Sequence, residues 1–285
     1  MKIIPTFLST LIIVSCASGK ENTKENTYTG STPAGGVVKS FLGIPLADSI
    51  DFIRWKLILQ DNHYQLQCNY GIGKPNTNGF INGGKKIELK GELRKEKNYY
   101  QLQNADKILK LAELNTDLLH LLDADNNLLV GNAGWSYMLN NVNPSLSDQI
   151  NLIAKQTVLK DSMAFQGRTP CKVPGIIRPG VECYKLKWYA VLYSDATKNQ
   201  AGTYRVLGTP WRKEGGITGN WNIITGKNGR TIYRLNDEKG NGFLYLLKLD
   251  ANILVFTDPD GKLLVGDEDF SYTLNSTQDF HILKK

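Results

Sequence analysis

Residues 128–140 read LLVGNAGWSYMLN, and residues 263–275 read LLVGDEDFSYTLN. Eight of these thirteen aligned positions are identical, namely Leu, Leu, Val, Gly, Ser, Tyr, Leu and Asn. A pair of aspartates precedes each stretch at the same spacing: Asp123 with Asp125, and Asp258 with Asp260. An internal repeat of this length indicates that the chain consists of two copies of one module.

Each repeated stretch is predicted to complete a β-hairpin. The apolar runs 117–122 and 252–257 have the length of a strand, and turn residues such as Pro259 and Gly261 follow them. In the strand after the first turn, side chains alternate between two faces, with Trp135, Tyr137 and Leu139 on one and Ser136, Met138 and Asn140 on the other. This period of two is typical of a half-buried antiparallel strand.

The aspartates of the first turn also resemble the start of a calcium-binding loop. A full loop of that kind has Gly at its sixth position, where this chain has Leu128. We therefore expect a plain hairpin turn at Asp123.

The composition is that of a chain large enough for two packed domains. It has 285 residues, of which 41% are hydrophobic. The net charge of +7 comes from basic residues interspersed with acids, as in residues 85–97. This pattern favours solvated strand faces over a nucleic-acid groove, so we expect no nucleic-acid partner. Attraction to an anionic surface or to the acidic groups of peptidoglycan stays open.

The N-terminal residues have the pattern of a bacterial lipoprotein leader. Lys2 precedes a short apolar core, which ends in Ile-Val-Ser before Cys16 and resembles a lipobox. The resemblance implies a signal peptide over residues 1–15, lipid attachment at Cys16 and a membrane anchor of acyl chains. Ala17 follows the cysteine, which by resemblance to enterobacterial sorting points to the outer membrane. The alternative is an ordinary secretory leader with a cysteine there by chance.

Both modules open with the pattern aromatic-x-Gly-x-Thr-Pro. The matching residues are Tyr28, Gly30, Thr32 and Pro33 in the first copy and Phe165, Gly167, Thr169 and Pro170 in the second. The shared openings and ends divide the chain into a flexible tether at 16–27, a first module at 28–141, a linker at 142–164, a second module at 165–276 and a tail at 277–285. The linker sequence predicts a short helix that begins within Asn143 to Gln149 and places Leu146, Ile150 and Ile153 on one face.

Within each module, short runs of β-forming residues alternate with Gly, Asn and Asp turns. The candidate strands are 53–60, 63–70, 79–81, 86–93 and 99–103 in the first module and 184–193, 202–207, 219–224 and 231–235 in the second. Short strands at this spacing indicate a small barrel or sandwich. We predict an all-β fold of two tandem small antiparallel β-barrels joined by a short helical linker.

These features together resemble the N-terminal barrel module of the NlpE-type copper-resistance lipoproteins, in two copies. The resemblance rests on the leader, the opening from Gly167 to Cys171, the Gly-x-Trp at 219–221 and the closing hairpins. It implies a lipocalin-like barrel in each module, outer-membrane anchoring, and a role in envelope-stress signalling and copper tolerance. The family motif falls on Gly30, Thr32, Pro33, Gly167, Thr169, Pro170 and Cys171.

The chain departs from that family at the close-spaced dithiol. The family opening carries Pro-Cys-x-x-Cys, but Cys171 has no second cysteine near it, and the first copy has Ala34 after Pro33. A metal or redox role inferred from the dithiol therefore does not carry over. The other candidate copper ligands, thioether and imidazole side chains, form no close cluster along the sequence. We predict no metal site and no cofactor.

The remaining cysteines suggest structural roles. Cys171 and Cys183 frame a Pro/Gly-rich loop in a chain that is expected to leave the cytosol, which favours a disulfide between them. Two independent thiols, or a bond that switches with the redox state of the envelope, are the alternatives. Cys68 alternates with Leu66 and Tyr70, so we expect a buried thiol in the core.

The sequence carries no recognisable motif for nucleophilic or acid–base catalysis. We expect Trp188, Trp211 and Trp221 to fill a barrel interior. The predicted function is that of a non-catalytic outer-membrane lipoprotein in envelope-stress or copper-related sensing, with an envelope protein as its partner. The alternative is a lipocalin-like carrier that binds a small apolar ligand inside one barrel.

Overall fold

A computed structural model describes residues 25–147, 149–151, 159–177, 180 and 182–278. In this structure the chain forms two closed antiparallel barrels in tandem, each of eight strands. The prediction of an all-β fold with one barrel in each copy of the repeat is therefore confirmed. The predicted signal peptide at 1–15, Cys16 and most of the predicted tether lie outside the described residues.

The first barrel consists of strands β1 to β8 in sequence order. Their bounds are β1 (Asn26–Pro33), β2 (Phe52–Gln60), β3 (His63–Gly71), β4 (Lys85–Glu96), β5 (Tyr99–Asn104), β6 (Lys107–Asn115), β7 (Leu118–Leu122) and β8 (Met138–Asn141). Helix α1 (Gly36–Leu42) follows β1, and a 3₁₀ turn spans Ile81–Gly83. The barrel closes where β8 pairs with β1.

The second barrel repeats this order with strands β9 to β16. Their bounds are β9 (Ser162–Thr169), β10 (Leu186–Asp195), β11 (Gln200–Gly208), β12 (Ile217–Thr225), β13 (Thr231–Asn236), β14 (Gly242–Lys248), β15 (Ile253–Thr257) and β16 (Thr273–Thr277). Two 3₁₀ turns span Thr209–Trp211 and Lys227–Gly229. Pairing of β16 with β9 closes the barrel.

The candidate strands match the observed ones except in five places. Strands β1, β6, β9 and β14 were not among them, and residues 79–81 do not form a strand. Phe80 makes only an isolated bridge to Gly73. The chain turns immediately afterwards because Asn82, Gly83 and Gly84 all have positive φ.

Each barrel has its own interior core. Alternate residues of the strands point inward, so the first core contains Trp55, Leu57, Leu66 and Leu102. The second contains Trp188, Trp221, Tyr233 and Phe256 in the same way. Trp188 and Trp221 are buried as expected, and Trp211 is partly buried and packs edge-on against Trp188.

One end of each interior is covered by different local structure. In the first barrel, helix α1 packs Val38, Phe41 and Leu42 onto the core and ends at Gly43, which takes the left-handed conformation. In the second barrel residues 171–177 of the corresponding segment form neither helix nor strand, and Val173 packs onto the core.

A third apolar cluster lies between the two barrels. Each barrel contributes six buried side chains to it: Ala112, Leu114, Leu118, Leu122, Leu128 and Met138 from the first, and Ile232, Leu247, Leu249, Ile253, Val255 and Leu263 from the second. These residues point outward from their own barrels, so the two barrels bury them against each other. We call this contact the inter-barrel face.

Hydrogen bonds across the inter-barrel face are reciprocal. The backbone N–H of Gly266 donates to Asn140 Oδ1 at 2.8 Å, and that of Gly131 donates to Asn275 Oδ1 at 2.8 Å. The hydroxyls of Ser136 and Ser271 meet at 2.6 Å, 135 residues apart in sequence. The two copies are therefore related by an approximate two-fold arrangement, as in a symmetric dimer.

This face corrects the prediction of a half-buried closing strand. Ser136, Met138 and Asn140 point away from their own barrel, yet they are only 6%, 1% and 1% exposed. The other barrel covers them, so the strand is buried on both sides. The strand is also shorter than predicted, because β8 begins at Met138.

The predicted linker helix is absent from the part of the linker that the structure describes. Residues 142–147, 149–151 and 159–161 are not helical. Asp117 accepts hydrogen bonds from the backbone N–H groups of Ser145 and Ser147, which holds this segment in a loop. Residues 162–164 belong to β9, and residues 148 and 152–158 lie outside the described ranges. Within those ranges, no helix has the length and apolar character needed to cross a membrane.

His120 is a buried ionisable group in the inter-barrel face. It lies on β7 on the same side as Leu118 and Leu122, and it is fully buried. Neither ring nitrogen has a hydrogen-bond partner among the residues that the structure describes. Burial lowers the pKa of His120 from 6.5 to about 3. At the matching position of the second copy stands Val255, which belongs to the same cluster.

We predict that His120 makes stability fall in acid. Between pH 6.5 and about 3 the unfolded state binds a proton at His120 and the folded state does not. The free energy of unfolding should therefore decrease by about 1.4 kcal/mol for each pH unit in this window. The substitution His120→Val should remove this contribution. Urea unfolding at several pH values between 4 and 7 measures it.

The difference between wild type and His120→Val isolates the histidine, because both proteins share the same carboxylates. An exposed control, His63→Val, should keep the wild-type pH dependence. Parallel curves for wild type and His120→Val across the window would contradict the prediction.

Candidate functional site

The family-motif residues close the barrels. The indole N–H of Trp55 donates to Thr32 Oγ1 at 2.8 Å, and that of Trp188 donates to Thr169 Oγ1 at 2.8 Å. Each threonine hydroxyl in turn donates to the carbonyl of the following proline, Pro33 or Pro170. These contacts fix the end of the first strand of each barrel against the second.

The motif glycines allow the closing strands to approach. A Cβ on Gly30 would lie 2.7 Å from the carbonyl oxygen of Met138, and one on Gly167 would lie 2.5 Å from that of Thr273. No side chain fits at either position. The predicted motif residues are therefore structural, and the barrel folds bring the two sets to equivalent places.

The three cysteines among the described residues take the roles predicted from the sequence. Cys171 and Cys183 form a disulfide, which closes the loop over the end of the second barrel. Cys68 is a free thiol in the first core, and burial raises its pKa. Cys16, the predicted lipid attachment site, lies outside the described residues.

The paired aspartates form hairpin turns, as expected. Asp123 Oδ1 accepts hydrogen bonds from the backbone N–H groups of Asp125 and Asn127, and these bonds lower the pKa of Asp123. Asp258 accepts the same pair from Asp260 and Lys262. Among the residues that the structure describes, no three His, Cys, Asp or Glu side chains converge as a metal site.

The candidate site is a cleft of about 490 Å³ at the junction of the two barrels. The first barrel contributes Phe52, Trp135 and the loop 73–78. The second contributes Asp269 and Phe270 from its last turn, and a group of exposed or half-buried side chains: Arg168, Tyr184, Lys185 and Lys187. We call it the inter-barrel cleft.

An aromatic stack forms one wall of the cleft. Phe80 stacks on Phe52 with ring centroids 4.2 Å apart, and Phe52 stacks on Trp135 at 4.6 Å. A guanidinium group caps each end of the stack: Arg54 lies 6.0 Å from the ring of Phe80, and Arg168 lies 5.5 Å from the ring of Trp135. The wall is thereby held by residues of both barrels.

Cations line the other wall. Burial lowers the pKa of Arg168. The pKa of Lys185 is lowered by burial first and then by the nearby charges of Arg168 and Lys187. Lys185 also lies over the rings of Tyr184 and Phe270, 4.9 and 5.3 Å from their centroids. The positive charges of Arg168, Lys185 and Lys187 thus lie close together, and Arg168 and Lys185 are partly shielded from water.

Two carboxylates complete the lining. Asp269 forms an ion pair with Arg54 and accepts a hydrogen bond from the amide of Asn78. Asp51 accepts a hydrogen bond from the backbone N–H of Gly73 at 2.7 Å. Asp269 is therefore already engaged with the first barrel, although its charge also raises the pKa of Lys185 in part.

A smaller cavity of about 260 Å³ opens at the mouth of the second barrel. Its walls include Phe165, Tyr233 and Leu254, and Lys248 lies among them with 6% of its surface exposed. Burial lowers the pKa of Lys248, and Asp250 opposes that shift. No described residue forms an ion pair with Lys248.

Sequence reasoning missed both the cleft and the cavity. The cleft joins segments that are far apart in sequence, and each one alone reads as a loop or strand end. One signal for the cleft was present in the sequence: in the shared opening pattern, the second copy has a cation, Arg168, where the first copy has Ser31.

Comparisons of this chain with protein-family models, with curated proteins and with solved structures found no match.

We predict that the hydroxyl of Thr169 is needed for stability. Thr169→Val would leave the buried indole N–H of Trp188 without an acceptor. The cost should be about 1–3 kcal/mol in the free energy of unfolding. Thr169→Ser keeps the hydroxyl and should lose much less. Urea unfolding of both variants measures the difference, and equal losses would show that the methyl packing matters instead.

Proposed function

We propose that this protein is a non-catalytic lipoprotein of the bacterial outer membrane that acts by binding a partner or ligand on its outside. The observation that carries the proposal is the filling of both barrel cores by the protein's own side chains, which include Trp55, Trp188 and Trp221. Packed interiors of this kind leave binding to the surface and to the cleft between the barrels.

The rigid union of the barrels supports this role. The inter-barrel face joins them through a buried apolar cluster and reciprocal hydrogen bonds. A body of this kind presents its surface residues in fixed positions, as a binding module requires. The disulfide between Cys171 and Cys183 is consistent with an oxidising compartment outside the cytosol.

The envelope location and the sensing role rest on sequence features. The lipobox-like run that ends at Cys16 supports lipid anchoring, and the resemblance to the NlpE-type lipoproteins supports a role in envelope-stress or copper-related sensing. Under this proposal the membrane holds the N-terminus and an envelope protein is the partner. No cofactor takes part.

We predict that Cys16→Ala removes the anchor and the sensing activity together. In the native bacterium, the variant should lose labelling by palmitate and move from the detergent phase to the aqueous phase on extraction, because acyl chains supply the membrane affinity. The control Cys68→Ala should keep both. A reporter of envelope stress, read with and without added copper, tests the second half.

The anchor and the sensing role can be contradicted by different results. A Cys16→Ala protein that still partitions with detergent would contradict the anchor. A deletion strain that responds normally to envelope stress and copper would contradict the sensing role and leave the anchor standing.

A carrier of a small apolar molecule is the second candidate, and the cavity at the mouth of the second barrel favours it. Phe165, Tyr233 and Leu254 form its apolar side, and Lys248, whose ammonium lies 5.9 Å from the centroid of the Tyr233 ring, has no ion pair among the described residues. A cation beside an apolar surface suits an apolar molecule with an acidic head, and Asp250 at the same cavity only partly offsets the charge of Lys248.

We predict that Lys248→Met removes such a ligand. If the carrier function holds, native mass spectrometry of protein extracted from its own cells should detect a bound small molecule. The signal should fall several-fold in Lys248→Met, because the ion pair with the acidic head is lost. Lys90→Met, on the exposed side of β4, serves as the control. Wild-type protein without any bound molecule would contradict the carrier function.

A further inference from the structure

The approximate two-fold arrangement allows the two sides of the inter-barrel cleft to be compared position by position. Ser31 pairs with Arg54 across β1 and β2, and Arg168 pairs with Lys187 across β9 and β10. These pairs directly precede the matched threonine–tryptophan contacts of each barrel. Ser31 and Arg168 are thus equivalent, as are Arg54 and Lys187.

On one side of the cleft, the last turn of the second barrel supplies a carboxylate that neutralises a cation of the first barrel. Asp269 forms the ion pair with Arg54, and the carbonyl oxygen of Glu268 accepts a hydrogen bond from the hydroxyl of Ser31 at 2.8 Å. The cation of the first barrel therefore has a carboxylate supplied by its neighbour.

On the other side, the matching carboxylate is missing. The position equivalent to Asp269 is Gly134, with the same turn around it. Asn132 Oδ1 accepts the backbone N–H groups of Gly134 and Trp135, and Asp267 Oδ1 accepts those of Asp269 and Phe270. A Cβ on Gly134 would lie 3.8 Å from Nη1 of Arg168. The cleft therefore lacks an acid at the place where its counterpart has one.

The cations of the second barrel have no ion-pair partner there, although the charge of Asp269 acts on Lys185 in part. Arg168, Lys185 and Lys187 form no ion pair with any residue in the described ranges. Asp269 is committed to Arg54 and Asn78, and Asp51 lies on the opposite loop. With Lys74 of the loop 73–78, four cations line the cleft against two carboxylates, Asp51 and the engaged Asp269, and this excess of positive charge attracts an anion from solution.

We propose that the inter-barrel cleft binds a small organic oxyanion, a carboxylate or a phosphate monoester, which takes the place of the carboxylate that Gly134 lacks. Arg168 supplies a planar guanidinium for two parallel hydrogen bonds to the oxyanion, and Lys185 and Lys187 add charge. The ring of Tyr184, 55% exposed beside Lys185, offers an apolar surface to the rest of the molecule. The cleft volume of about 490 Å³ accommodates a single aromatic ring with its acidic group.

The experiment uses phenyl phosphate and benzoate as probes, titrated into the protein by calorimetry at low ionic strength. Gly134→Asp should weaken the binding of both probes by about tenfold or more, because it supplies the missing carboxylate from within the chain. The turn at Gly134 should tolerate an aspartate, because the equivalent turn of the second barrel has Asp269 at the same position. Arg168→Gln should weaken binding to a similar extent by removing the guanidinium. Gln65→Glu, an exposed position on β3, makes the same change in net charge as Gly134→Asp and should leave affinity unchanged within about twofold.

The two probes distinguish the two sources of oxyanion, since a preference for one identifies the ligand as a phosphate or a carboxylate. The proposal is overturned if neither probe binds wild-type protein saturably at concentrations up to about 10 mM. It is also overturned if Gln65→Glu weakens binding as much as Gly134→Asp, because the attraction would then come from overall charge. Arg168→Gln decides the matter if Gly134→Asp proves unstable in thermal unfolding.

Discussion

The two barrels depend on a shared face in which each one completes the hydrogen bonding of the other. The backbone N–H of Gly131 donates to Asn275 of the second barrel, and the backbone N–H of Gly266 donates to Asn140 of the first. A buried donor without a partner costs about 1–3 kcal/mol. Asn140 and Asn275 are each 1% exposed, so water does not substitute for either. Separation of the barrels would break both bonds and expose the apolar cluster together, which makes the pair a single structural unit.

This face gives a physical reason for the residues that the two copies share. Tyr137 and Leu139 point into their own barrel, while Ser136 and Asn140 point outward and bond to the last turn of the other barrel. The repeated glycine is required because a Cβ on Gly131 would lie 2.3 Å from the carbonyl oxygen of Trp135. One short segment therefore serves two cores, and a change at most of its positions would disturb both barrels.

The sequence was sufficient to predict the two barrels but not the face through which they pack against each other. A period of two and a repeated end predict paired strands, and the loop around Cys171 and Cys183 predicts a disulfide. A serine or asparagine on the outer side of a strand reads as solvent-exposed whether water or another barrel covers it, so the inter-barrel face was invisible. Helix α1 was missed because its seven residues include Gly and β-branched side chains with low helix propensity, and packing on the barrel core stabilises it.

The inter-barrel cleft was out of reach for a related reason. Its wall combines the side chains of Phe52, Trp135 and Arg168. These residues become neighbours only because the two barrels meet in one particular orientation. Local patterns along the chain carry no information on that orientation, since it is decided by the outward-facing residues of strands far apart in sequence.

Differences between the copies are where function can be sought, because the shared residues are occupied with the fold. The barrel mouths provide an example independent of the cleft. In the first barrel Glu113 receives the ammonium of Lys95 at 2.9 Å and the hydroxyl of Tyr100 at 3.0 Å, so its charge is compensated. The strand pairing places Lys248 and Tyr233 at the equivalent positions of the second barrel. The acid has become a base there, and the region beside it opens into a cavity. At the cleft the second copy thus lacks the carboxylate that neutralises Arg54 in the first, and at the mouth it holds Lys248, whose charge Asp250 partly offsets, where the first copy holds a paired acid. Like charges that lie close together repel one another, and a bound anion would relieve that repulsion.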